Sequence, residues 1–324
     1  MAGGWRAVVV TLVVGTDEAG YGPNLGPLVV AATAWEVAAA ADDVDGVFAA
    51  VAADLAGLWG DSKQIFRGGA GLSALERGVL AAAGIAMGSL PATWRAFAAA
   101  LAASHPADGP PAAVVVAEHA EVEALLVPRA CSRQQCLDSA AVAGGHLAAR
   151  GVDLRAVQFR IIQPREFNAL LDAGFNKSDI LSRVTLDLAA ALVSAAKPGP
   201  VVVWCDRHGG RRRYAPLVSH SFAAPLVQVV AETPEWSAYH LPAAACRIEF
   251  SVRGESRLPV ALASMTAKYA RELSMAAFNE HWCGRQAGLR PTAGYPVDAA
   301  RWRSDADETV RGAGLAWDDL WRRA

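Results

Sequence analysis

The stretch Gly15-Thr16-Asp17-Glu18-Ala19-Gly20-Tyr21-Gly22-Pro23-Asn24-Leu25-Gly26-Pro27 joins two apolar runs. Before it, Ala7 to Gly15 is apolar throughout apart from Thr11, which suits a central strand covered on both faces. After it, Pro27 to Val37 is a second strand-like run, and the pair reads as a hairpin. Two adjacent acids close the first strand. Neighbours on a regular strand point to opposite faces, so Asp17 and Glu18 serve one site only where the pleat breaks. Gly20 and Gly22 supply that break, and without a Cβ they let a ligand approach the main-chain N–H groups. Taken by itself, the stretch also fits a plain glycine-rich turn with two exposed acids.

Working outward, Val157 to Gln163, Pro200 to Cys205 and Cys246 to Val252 read as three further strands, each next to a helical stretch. Asn176 to Ala196 carries Leu181, Val184, Leu188 and Leu192 at spacings of three and four, a continuous apolar stripe leading into the strand at Val201. Ser256 to Trp282 repeats the pattern with Val260, Ala261, Met265, Ala267, Tyr269, Leu273, Ala276 and Phe278. Pro259 falls in its first turn, where proline is tolerated. The alternation predicts an α/β fold, a mixed sheet with helices packed on it. Residues 81 to 150 are Ala-rich and interrupted by the breaker Ser104 to Pro111, which predicts an insertion or subdomain. Asp42-Asp43-Val44-Asp45 is read as a solvated turn.

Length and composition agree with a folded α/β chain. It has 324 residues, 53% hydrophobic and 19% charged, against typical fractions of about 45 to 50% and about 25%. That balance excludes disorder as a whole. The net charge of -2 excludes a global basic field, so any nucleic-acid contact must come from local patches. Five cysteines, an odd and sparse set, argue against a disulfide framework and for a reducing compartment, with cytoplasm expected. The N-terminus is a poor signal peptide, and no run of 18 apolar residues occurs, so no membrane span is expected. A zinc site from Cys131-x4-Cys136 with His146, or with His281-x-Cys283, is disfavoured by irregular ligand spacing.

Two more acids stand near predicted strand or helix ends. Asp206 follows Val201-Val202-Val203-Trp204-Cys205, beside His208-Gly209-Gly210-Arg211-Arg212-Arg213. The arginines read either as a solvated charge run or, through Arg211, as a phosphate contact suited to a planar multi-donor guanidinium. Glu255, in Gly254-Glu255-Ser256, opens the long helix and is either a dipole partner or a member of a site.

Together these residues resemble the type 2 and type 3 ribonuclease H family. The likeness is carried by Asp17-Glu18-Ala19-Gly20-x-Gly22-Pro23 with Gly26-Pro27, Asp61-Ser62-Lys63 followed by Leu72-Ser73-x-x-x-Arg77, and the strand ending at Asp206. Gly254-Glu255 leading into Ala263-Ser264-x-x-Ala267-Lys268, then Gly294-Tyr295, complete the five ordered blocks. They span residues 12–37, 61–80, 155–210 and 245–300, leaving the central insertion and the tail unmatched. The resemblance implies a ribonuclease H-like fold, a five-stranded mixed sheet flanked by helices, forming one catalytic domain over 1–324 with 81–150 inserted. It implies hydrolysis of the RNA strand of RNA–DNA hybrids, or of ribonucleotide-containing DNA, to 5′-phosphate and 3′-hydroxyl ends by a cytoplasmic monomer.

Catalysis would use two divalent ions, Mg²⁺ or Mn²⁺, held by Asp17, Glu18, Asp206 and Glu255. Glu at the fourth position is the type 3 choice. By the same likeness, Gly20, Tyr21 and Gly22 would read the 2′-hydroxyl, Tyr295 would pack on the sugar, and Lys63 and Lys268 would contact phosphates or steady the carboxylates. Tyr295 as a half-buried core tyrosine and Lys268 as a snorkelling helix lysine are the ordinary alternatives. Tyr21 stands where type 2 enzymes usually have Arg, and Pro296 where Gly usually follows the tyrosine. Two other readings share the fold. One is a non-catalytic nucleic-acid binder; the other is an ATPase of the actin and sugar-kinase kind, for which a second glycine-rich nucleotide loop is missing.

Overall fold

A computed structural model of the chain describes residues 9–67, 71–101 and 125–323. Thr11–Ala19 (β1), Leu28–Val37 (β2), Val152–Ile162 (β3), Val201–Asp206 (β4), Gln228–Glu232 (β5), Trp236–Leu241 (β6) and Cys246–Ser251 (β7) make one mixed sheet, ordered β3-β2-β1-β4-β7-β6-β5. Helices cover both faces. The sheet therefore has seven strands, not the five expected. The missing pair, β5 and β6, is an edge hairpin whose sequence gives little warning. Val229 and Val230 are both exposed, and a register shift between Val229 and Ala231 erases the alternation that marks a half-buried strand.

β1 and β2 form the expected antiparallel hairpin, with Asp17 opposite Ala31 and Glu18 opposite Val30. The strand begins at Thr11 and runs on through both acids to Ala19, later at each end than the apolar run suggests; Ala7 and Val8 lie outside the described residues. β1 is buried on both faces, as its apolar sequence requires. Val13, with Val29, Ala31 and Trp35, faces one core; Leu12 and Val14, with Val30 and Ala32, face the other.

Two helices hold the sheet between them. Lys177–Ala195 is opened by a capping box from Asn176 and Asp179, and packs Ile180, Leu181 and Leu188 on the second core. Leu258–Arg285 packs Val260, Leu262, Met265, Tyr269 and Leu273 on the first. Its first turn lies directly on β1: a Cβ built on Gly15 would sit 2.3 Å from the Pro259 carbonyl carbon. Thr33 Oγ1 donates to the Pro259 carbonyl at 2.9 Å from the neighbouring strand. This contact fixes the start of the long helix, and the loop before it, at the end of the sheet where β1 finishes.

The described parts of the Ala-rich region belong to the first core. Gly71–Met87, Trp94–Leu101 and Arg133–Ala149 contribute Leu75, Val79, Trp94, Phe97, Cys136 and Leu147 to the same cluster as Val13 and Trp35. The breaker Ser104 to Pro111 lies outside the described residues. Asp42 to Asp45 are more than a solvated turn. Asp43 begins the Val44–Asp54 helix, Asp42 pairs with Arg247 and Asp45 with Arg257, each at 3.0 Å. All five cysteines are free, three of them buried, and among the described residues no three or more His, Cys, Asp or Glu side chains stand close enough together to hold a metal ion as they are. No described helix is long and apolar enough to cross a membrane.

Candidate functional site

β1, β4 and β7 are adjacent and parallel, so their carboxyl ends share one edge of the sheet. Thr16 pairs with Cys205 and Asp206 with Ser251, which sets Asp17, Asp206 and the loop after β7 side by side. A 3-10 turn, Gly254–Ser256, then presents Glu255 just before the long helix. The Gly254 N–H donates to Asp206 Oδ1 at 2.7 Å, tying that turn to the end of β4. Four acids spread over almost 240 residues of sequence thus come to one place.

Burial, and after it this crowding, raises the carboxyls of Asp17, Glu18 and Asp206. Asp17 is only 6% exposed, and burial, then Glu18 and Asp206, raise its carboxyl well above the ordinary range. Burial and the Asp206 charge push Glu18 up to about 7. Asp206 is raised by burial first and by Glu255, against the lowering effect of the Gly254 N–H. Asp17 Oδ1 accepts the Glu18 N–H at 2.7 Å, whereas Glu18 Oε2 is buried with no hydrogen-bond partner. An orphaned carboxylate oxygen among mutually repelling acids is what a bound cation would satisfy, and hard oxygen donors suit Mg²⁺ or Mn²⁺.

Lys63 brings a cation to the acids. Its Nζ lies 3.0 Å from Glu255 Oε1, and that bond raises the ammonium's pKa. Asp61 Oδ1 accepts the Lys63 N–H at 2.8 Å, starting the short Ser62–Arg67 helix. Ser62 Oγ lies 3.2 Å from Ser264 Oγ on the long helix, beneath Asp17. The Asp61-Ser62-Lys63 block is therefore anchored from below and offers Lys63 at the rim, 63% of its side chain exposed.

The Gly20–Gly26 loop closes another side. Gly20 has φ +86°, and a Cβ there would meet the Arg271 side chain and the Pro27 carbonyl oxygen at 2.6 Å, so only glycine turns the chain here. Gly294 O accepts the N–H groups of Asn24 and Leu25 at 2.9 and 3.2 Å, which brings Gly294-Tyr295 to the loop. Tyr295 is 56% exposed, so the core-tyrosine alternative does not hold. Tyr21 is half-buried, with Lys177 Nζ 4.7 Å from its ring centroid, while Gly22 is exposed.

The outer cations are placed differently from a simple phosphate row. Arg211 is half-buried and committed to Asp179 and to Ser178 Oγ; Arg212 and Arg213 are exposed, Arg213 lying 3.7 Å from Glu232. Lys268 lies 4.0 Å from the Phe66 ring centroid, nearer the snorkelling alternative than a carboxylate contact. The sequence reading missed Lys177, Arg271 and Arg322, which all adjoin the loop. Nothing local marks them, because each reaches the loop only through tertiary packing.

No protein-family model and no curated protein matches the chain. Solved structures of type 2 and type 3 ribonucleases H are similar to it over most of its length at low identity. Ribonuclease H2 from Pyrococcus horikoshii OT3 is 13% identical, with 95% of this chain and 92% of that one covered at a TM-score of 0.46. Ribonuclease HII of Archaeoglobus fulgidus, solved in complex with PCNA, is 15% identical, with 95% and 93% covered at 0.43. Bst ribonuclease HIII, solved with Mn²⁺, is 15% identical, with 97% and 67% covered at 0.46. With TM-scores this low, the functional reading stands on the residues themselves.

Proposed function

We propose that the chain is a divalent-metal-dependent endoribonuclease that cleaves the RNA strand of RNA–DNA hybrids. One observation carries the reading: Asp17, Glu18, Asp206 and Glu255 gather at the carboxyl ends of three parallel strands beside a glycine loop. Asp17, Glu18 and Asp206 are raised by burial first and by neighbouring like charges second, and two Mg²⁺ or Mn²⁺ ions on the four carboxylates would offset that cost. When bound, such ions supply charge neutralisation and activation of water for in-line attack on a phosphodiester.

The chain's own residues do the rest. Glu18 keeps one buried oxygen without a hydrogen-bond partner, which a cation would take, and Lys63, paired with Glu255 and largely exposed, would contact a substrate phosphate. Phosphate contacts are the same in RNA and DNA, so ribose must be read at its 2′-hydroxyl. The Gly20-Tyr21-Gly22 backbone would do this, with the Tyr295 ring, exposed in this structure, packing on the sugar. Arg211 serves as a fixed positive charge set by Asp179, and Lys268 packs its cation over the Phe66 ring. Hydrolysis leaves 5′-phosphate and 3′-hydroxyl ends. A ribonuclease H-like domain working as a cytoplasmic monomer belongs to the same proposal.

The test compares three labelled substrates of one sequence with Mg²⁺ or Mn²⁺: a long hybrid, duplex DNA with one embedded ribonucleotide, and plain duplex DNA. Cleavage confined to ribose-containing strands supports the proposal and tells the two substrate classes apart. Measurable hybrid affinity with every strand intact would favour the non-catalytic binder instead.

A further inference from the structure

The C-terminal segment returns beneath the glycine loop and is held there from two sides. Trp321 bridges to Leu25, the Arg322 N–H donates to the Asn24 carbonyl at 2.8 Å, and Asn24 Nδ2 donates back to the Arg322 carbonyl at 3.1 Å. From the Pro164–Asp172 helix, buried Asn168 donates to the carbonyls of Asp318 and Trp321 at 3.0 and 2.8 Å. It also accepts the Arg323 N–H at 2.9 Å. A backbone fastened on both edges fixes where the Arg322 side chain starts.

That side chain is 1% exposed. Its Nη2 donates to the Gly20 carbonyl at 2.5 Å and also to the Pro23 carbonyl, and the guanidinium lies 5.2 Å from the Phe167 ring centroid. It makes no ion pair with a described carboxylate, and Nε and Nη1 have no hydrogen-bond partner. The charge that most affects it is another buried cation, Arg271. Burying a guanidinium on these terms is unfavourable, and an apolar side chain of similar volume would pack at least as well. What an apolar side chain cannot do is hold two carbonyl oxygens.

Holding them has a geometric consequence. In a trans peptide the C=O and N–H point in opposite directions, so a Gly20 carbonyl fixed inward turns the Tyr21 N–H away from the interior. Among the described residues neither the Tyr21 nor the Gly22 N–H has an acceptor. We infer that Arg322 is the positioning residue of the Gly20–Pro23 loop: it draws the Gly20 and Pro23 carbonyls inward, presents the Tyr21 N–H to the substrate sugar, and so sets ribose-over-deoxyribose discrimination from far along the chain. The inference rests on the nuclease reading and adds a determinant of specificity to it.

The test uses the full chain with Arg322→Met and Arg322→Lys. Three quantities are measured: hybrid-over-duplex binding preference with Ca²⁺ in place of the catalytic metal, hydrogen exchange of amides 20–26, and the melting temperature without metal. Losing two charge-assisted hydrogen bonds to the loop should cut the binding preference of Arg322→Met by about tenfold or more. Exchange in the loop should quicken, while the melting temperature stays level or rises because an unpaired buried cation is gone. Arg322→Lys should recover part of the preference. Unchanged preference and loop protection in Arg322→Met would overturn the inference. So would a fall in melting temperature with weaker binding to hybrid and duplex alike, the signature of a purely structural residue. If the wild-type chain itself neither prefers nor cleaves the hybrid, the nuclease reading fails first and takes the inference with it.

Discussion

Replacing Glu18 by Gln should stabilise the metal-free protein at neutral pH while destroying its metal response. Burial and the Asp206 charge raise the Glu18 carboxyl from 4.5 to about 7. A carboxyl raised in the folded state favours folding below its unfolded value, and that contribution is lost as pH rises through the folded value. The wild type therefore loses stability between about pH 4.5 and 7 and stays at the lower level above it. Moving that carboxyl from 4.5 to about 7, at about 1.36 kcal/mol per pH unit, gives ~3 kcal/mol as an upper figure. Discounting for partial exposure leaves about 2 kcal/mol. Gln keeps the shape and removes the charge, so the variant should escape this loss. The assay is urea unfolding in chelator at pH 5 and pH 8, followed by addition of Mn²⁺ at pH 8. The expected result is a stability gap between variant and wild type that widens by about 1.5 kcal/mol from pH 5 to pH 8, with Mn²⁺ stabilising only the wild type. Parallel pH curves, or a variant less stable than wild type at pH 8, would refute the electrostatic reasoning.

Other outcomes follow from the same geometry. Asp206→Asn should lower hybrid cleavage at least about 100-fold in a gel assay, with the metal-free melting temperature unchanged or raised because one like charge is removed. Lys63→Met should weaken hybrid binding about equally across sequences and reduce the salt slope of log affinity by about 1, as read by binding titrations at several salt concentrations. Gly15→Ala places a Cβ 2.3 Å from the Pro259 carbonyl carbon. It should cost about 1–3 kcal/mol by overpacking, seen as a lower denaturation midpoint at unchanged slope.

Much of the scaffold was legible because its signals are local. An apolar run broken only by Thr11 makes β1 a strand buried on both faces, and leucines three and four apart make Lys177–Ala195 a helix with one covered side. Asp17 and Glu18 stand out because acids so close to a central strand need a reason. What stayed hidden depends on partners distant in sequence. Val229 and Val230 point no clear face toward the core, so the β5–β6 hairpin shows only once β7 provides an edge to join. Arg211 looked free to meet a phosphate, yet it is taken by Asp179, the residue that completes the capping box with Asn176. Arg322 gave no signal at all: its contact with Gly20 spans 302 positions, and one of two adjacent arginines after a tryptophan resembles any surface charge. Lys63 and Glu255, 192 positions apart, could be matched to family blocks but not to each other.

Incubating a hybrid labelled on its RNA strand with wild type and with Asp17→Asn, Glu18→Gln, Asp206→Asn and Glu255→Gln, in Mn²⁺ or in chelator, tests the four-carboxylate site most directly. The site predicts RNA fragments with 5′-phosphate and 3′-hydroxyl ends from wild type in Mn²⁺ alone, and an intact strand from every variant. Wild-type cleavage that persists in chelator, or a variant that cuts as fast as wild type, would contradict it.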